Sequence, residues 1–81
     1  MEKQGRLLER ARTAPQGLSF VEFETLLDAC GWRLKRQKGS HRIWASPHGR
    51  LVPIQPTGGK AKAYQVKQFL RVYDEETDQE G

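Results

Sequence analysis

The stretch Lys38-Gly39-Ser40-His41 holds the residues of this 81-residue chain best suited to chemistry. Imidazole exchanges protons near neutral pH, so a histidine at the mouth of a strand can serve as a general acid or base. Lys35, Arg36, Lys38 and Arg42 crowd the same segment, and cations placed there would hold a phosphate and neutralise charge developing on it. The plainer alternative is that His41 only packs or hydrogen-bonds where its strand begins. His48, within Pro47-His48-Gly49, reads as a turn residue without a chemical role. A second basic group, Lys60 and Lys62, follows Gly58 and Gly59 at the start of the last predicted helix. Free amides and the positive end of a helix dipole favour phosphate at such a place. Its alternative is an ordinary loop carrying two solvated lysines.

Other chemistries are poorly served. Cys30, His41 and His48 stand 11 and 7 residues apart, which matches no zinc pattern, so neither a metal nor a cofactor is expected. Position 61 is alanine where a phosphate-binding GxxxxGK loop continues with Ser or Thr. No carboxylate lies between Asp28 and Asp74, leaving nothing in that region to pair with another acid or to orient a histidine in a triad.

The same gap carries an electrostatic message. All 14 Lys and Arg fall within residues 1–73 against five acids, a charge of +9, while residues 74–81 hold five acids and no base. Ten of those cations occupy the acid-free stretch, the footprint of a polyanion binder; a merely solvated basic face is the alternative. One cysteine excludes an internal disulfide framework and fits a reducing compartment. No apolar run approaches the length of a membrane span and no secretory leader is visible, so no membrane is expected and a cytoplasmic location is.

These residues need a scaffold, and periodicity supplies one. Residues 4–13 read as a short charged helix with Leu7, Leu8 and Ala11 on its apolar stripe. Ala14-Pro15-Gln16-Gly17 breaks it. Ser19 and Glu22 form a capping box before a helix over 20–30, with Phe20, Phe23, Leu26, Leu27 and Cys30 inward and Gly31 at its end. The period then changes to two. Residues 32–36, 41–45 and 51–55 read as strands, the first with one buried face, and Pro53 confines the third to a sheet edge. Trp44 is out of phase with Ile43, as either core or a stacking surface. Val66, Phe69, Leu70 and Tyr73 give a final helix over 61–73, ended there because acids oppose the negative end of its dipole. The expected fold is α+β, with order α-β-β-β-α, a three-stranded antiparallel sheet with helices on one face, and an added N-terminal helix. It comprises a single domain over 1–73, with the helical extension at 4–13, and a frayed acidic tail over 74–81.

Three blocks of the sequence carry a resemblance: Leu26-Leu27-x-x-x-Gly31-Trp32, Arg36-Gln37-Lys38-Gly39-Ser40-His41-Arg42-Ile43-Trp44, and Gly59-Lys60-Ala61-Lys62-x-Tyr64-Gln65-Val66. Over about residues 19–73 the chain resembles the HicA toxins of bacterial and archaeal toxin–antitoxin pairs. The resemblance implies a fold like that of double-stranded RNA-binding domains and an endoribonuclease that cleaves mRNA without a metal. It implies that His41 is the catalytic residue and that a HicB-type antitoxin is the partner. Lys60 and Lys62 parallel lysines that touch phosphates in double-stranded RNA-binding domains. Two positions depart from the family pattern, Arg42 and Gln55, where many members carry histidines. The expected RNA contacts are Lys35, Arg36, Lys38, Gly39, Ser40, Arg42, Lys60 and Lys62. The competing function is a non-catalytic RNA-binding module of the same fold.

Overall fold

A computed structural model describes the backbone of residues 2–80 and the side chains of residues 5–78. Met1 and Gly81, the outer limits of the expected domain and tail, lie outside the described residues. Helix α1 (Glu2–Thr13) leads through a short 3-10 turn (Pro15–Gly17) into α2 (Phe20–Ala29). Strands β1 (Arg33–Lys38), β2 (His41–Ala45) and β3 (Leu51–Ile54) follow, and α3 (Ala63–Glu80) completes the chain. The order is the expected α-β-β-β-α behind an N-terminal helix.

Local chemistry explains most boundaries. The Ser19 hydroxyl accepts the Glu22 amide and the Glu22 carboxyl accepts the Ser19 amide, a reciprocal box that satisfies two otherwise orphaned donors at the start of α2. Gly31, at φ +86°, turns the chain out of α2 in a conformation costly for any side chain with a Cβ. The three strands pair antiparallel in sequence order, which leaves β3 and its Pro53 on an edge.

The helices cover one face of the sheet. Trp44, Val52 and Ile54 of that face meet Phe23, Leu26 and Leu27 of α2 and Val66, Phe69 and Val72 of α3 in one core. Phe69 is its hub, with ring centroids 5.9 Å from Phe23, 5.1 Å from Trp32 and 5.9 Å from Tyr73. Trp44 therefore belongs to the core. Leu7 and Ala11 of α1 join the same cluster, so the N-terminal helix is packed rather than appended.

Two expectations are corrected. Strand β1 has no buried face: all six of its residues are exposed, Leu34 at 45%. Its pairing with β2 slips between Leu34 and Arg36, so that Lys35 is an extra residue without a partner. This β-bulge reverses the inside–outside alternation halfway along the strand. The final helix also does not stop at Tyr73 but runs to Glu80. Asp74 accepts two hydrogen bonds from Arg12, Glu75 pairs with Arg50, and Glu76 is buried with its carboxyl accepting from the Ser46 hydroxyl. Those partners, far away in sequence, outweigh the unfavourable dipole, which is worth only about 0.3–1 kcal/mol per charge.

Candidate functional site

Strands β1 and β2 meet in a two-residue turn, Gly39-Ser40, flanked by the pair Lys38 and His41. Gly39 sits at φ +61° and Ser40 does not share the positive φ, the sign pattern of a II′ turn that matches the twist of a hairpin. Cross-strand partners share a face, so Lys38 and His41 project together, as do Arg36 and Ile43. Their face is the one turned away from the helices. His41 is exposed, and its imidazole makes no hydrogen bond with a described residue.

The imidazole lines a shallow concavity with Ile43, Pro53, Ile54, Gln55 and Gln65. Gln65 stands on the first turn of α3, and its Oε1 accepts the Gln55 amide at 3.0 Å. That bond ties the helix start to the end of β3 beside His41. Lys62 occupies the N-cap position of α3, its carbonyl accepting the amides of Gln65 and Val66 at 2.9 and 3.1 Å. Lys60 exchanges two backbone hydrogen bonds with Thr57, while Gly59 and Ala61 bond the backbone around Ser19. The lysine loop is thus fixed across the start of α2, and α3 reaches from it to the histidine.

Charge is distributed unevenly over these faces. Arg10 pairs with Glu22 at 2.8 Å, Arg12 with Asp74 at 2.7 Å, Arg50 with Glu75, and Arg42 with Glu24. Hydrogen bonding from Arg10, with the Ser19 amide adding to it, holds the Glu22 carboxyl below the usual carboxylate range, and Arg12 does the same for Asp74. Lys35, Arg36, Lys38, Lys60 and Lys62 make no ion pair with any described residue. The cations of the open sheet face and of the α3 start are therefore uncompensated by any described carboxylate.

Of the residues expected to touch RNA, Arg42 differs in setting. It lies on the helix-facing side of β2, paired with Glu24 and stacked 5.2 Å over the Phe20 ring. Neither partner is adjacent to it in sequence, and charge pattern alone could not anticipate the pairing. Among the described residues, no three His, Cys, Asp or Glu side chains cluster as a metal site would require. No described helix is long and apolar enough to cross a membrane.

A family model described as the HicA toxin of bacterial toxin–antitoxin systems matches residues 21–73, which is 53 of the 81 residues. The chain belongs to the HicA toxin family. It is therefore the toxin side of a toxin–antitoxin system in its family assignment. The HicA match covers α2, the sheet and most of α3; α1 and the end of α3 lie outside it. No curated protein and no solved structure matches the chain. Gln55, one of the two departures from the HicA histidine pattern noted in the sequence, lines the same concavity as His41. Arg42, the other, is on the opposite face of β2 from His41 by strand alternation. Ile43, Pro53 and Gln65 were given no place at the site from the sequence, although Gln65 stands in the third block that carries the resemblance; the fold brings all three beside His41.

Proposed function

We propose that this HicA-family chain is an endoribonuclease that cleaves mRNA in the cytoplasm, without a metal, with His41 as its acid–base group. One observation carries the proposal. An exposed imidazole with no described partner stands directly across the hairpin from a lysine, on a face whose cations no described carboxylate neutralises.

Cleavage then proceeds through the RNA's own hydroxyl. His41 takes the proton from a ribose 2′-hydroxyl, and the oxygen attacks the adjacent phosphorus. The bond from phosphorus to the 5′-oxygen breaks, leaving a 2′,3′-cyclic phosphate on one fragment. The departing oxygen takes a proton from water and becomes a 5′-hydroxyl. Lys38 neutralises the charge that gathers on the phosphorane, a role its position opposite His41 supports better than that of Arg36, two residues further along. Lys35, Arg36, Lys60 and Lys62 hold flanking phosphates, and the Gly39-Ser40 turn lets the RNA backbone approach closely. Arg42 acts instead through its ion pair with Glu24.

An uncompensated basic face also suits the acidic surface of an inhibitor, in this reading a HicB-type antitoxin that covers His41. A non-catalytic RNA-binding module is the second reading, favoured by the lack of any described residue that orients the imidazole. Incubating the purified protein with a transcript in chelator, then mapping fragment ends, separates the two. Fragments with 5′-hydroxyl ends are expected. Intact RNA at stoichiometric protein would leave only the binding module.

A further inference from the structure

The open face of the sheet holds a second concavity, lined by Lys35, Arg36, Ile43 and Leu51. Ile43 also lines the concavity of His41, so the two lie side by side on the same sheet face. The bulge builds it. Because Lys35 is inserted opposite Ile43, two successive residues, Lys35 and Arg36, line the same concavity, which regular alternation forbids. Beyond the bulge the reversed phase also turns Lys38 to the face of His41. Leu51, 60% exposed, and half-buried Ile43 form an apolar floor beside the two cations, Lys35 and Arg36.

We propose that this concavity is a nucleotide subsite for single-stranded RNA, next to the cleavage site. The inference rests on the ribonuclease reading for its neighbour but not for its own binding chemistry. Cations along one rim and aliphatic side chains below match a strand whose phosphates lie outward and whose base faces are free. A duplex keeps its base faces stacked inside and cannot lay one against Ile43 and Leu51. Arg36 and Lys38 lie two residues apart on β1, about 7 Å at strand rise, comparable with the phosphate step of an extended strand. With no aromatic ring on the floor, base contact is apolar and tolerant of sequence.

Binding to a short 2′-O-methyl RNA strand tests this on the intact protein, because that probe lacks the hydroxyl needed for cleavage. The strand should bind at least about tenfold more tightly than the same strand annealed to its complement, and Leu51→Glu should weaken it by about tenfold. Lys35→Ala should lower the slope of log affinity against log salt by about 0.7, the share of one phosphate on a single strand. Leu51 is exposed, so its variant should keep the wild-type circular dichroism spectrum, and Lys35→Ala offers a second probe if it does not. Duplex binding equal to single-strand binding, or no effect of either variant, overturns the subsite. So does poly-glutamate binding that matches the RNA and is lost in Leu51→Glu, which gives the face to an acidic protein. Cleavage of ordinary RNA is scored separately. A protein that binds the methylated strand but leaves ordinary RNA intact overturns the ribonuclease reading and leaves the subsite standing; cutting of ordinary RNA unaffected by both variants does the reverse.

Discussion

Replacing Glu76 by alanine should destabilise the protein far more than the same change at its neighbour Glu75. The two carboxyls sit side by side in the acidic segment, yet Glu76 is 5% exposed and Glu75 lies at the surface. Glu76 accepts from the Ser46 hydroxyl, and that hydroxyl in turn accepts the Arg50 amide at 2.9 Å in the turn before β3. Glu76→Ala strands a buried hydroxyl, a loss of about 2 kcal/mol. Glu75 pairs with Arg50 in solvent, a contact worth about 0–1 kcal/mol. A domain of this size shifts its Tm by about 4–8 °C per kcal/mol, so Glu76→Ala should lower Tm by roughly 8–16 °C. Glu75→Ala should move it by at most about 4–8 °C. Thermal unfolding followed by far-UV circular dichroism at neutral pH measures both. Equal, small shifts would refute the packing of the last turns of α3 and restore a solvated tail.

Arg42→Ala should cost about 1–3 kcal/mol by leaving Glu24 without its partner, while the salt dependence of RNA binding stays as in wild type; a reduced salt slope would return Arg42 to the RNA contacts. Acid should destabilise the protein partly through Asp74. Its carboxyl is held low in the folded state, so the stability it contributes is complete above the unfolded carboxylate pKa of about 3.9 and is lost as pH falls through the depressed folded value. Asp74→Asn should therefore flatten the acid limb of Tm against pH, and an unchanged limb would contradict the pairing with Arg12. RNA cleavage should persist in excess chelator, and its loss, restored by a divalent metal, would contradict the histidine mechanism.

Local signals made much of the fold readable. The Ser19–Glu22 box, Gly31, the Gly39-Ser40 turn and Pro53 each act through their own backbone, so their consequences were visible within a few residues of sequence. The bulge at Lys35 was not. Residues 35–38 are Lys-Arg-Gln-Lys, and a run of polar residues carries no apolar phase to betray a slipped register. The length of α3 was misjudged for a different reason. A dipole argument weighs only the helix itself, whereas Arg12, Arg50 and Ser46 reach Asp74, Glu75 and Glu76 from 62, 25 and 30 residues away. At the site, His41 and Lys38 were legible as neighbours because a tight hairpin makes them so. Gln65 was not, because its approach to Gln55 depends on how α3 packs across the sheet.

The most direct test of the central claim is the single-turnover rate of cleavage of a single-stranded RNA by wild type and His41→Ala, with binding and circular dichroism measured on the same samples. General acid–base groups contribute about 10²–10⁴-fold in rate. A loss of that size is predicted, with fold and RNA affinity kept, because the surrounding cations bind and His41 moves the proton. A folded His41→Ala protein that cuts at the wild-type rate would contradict it.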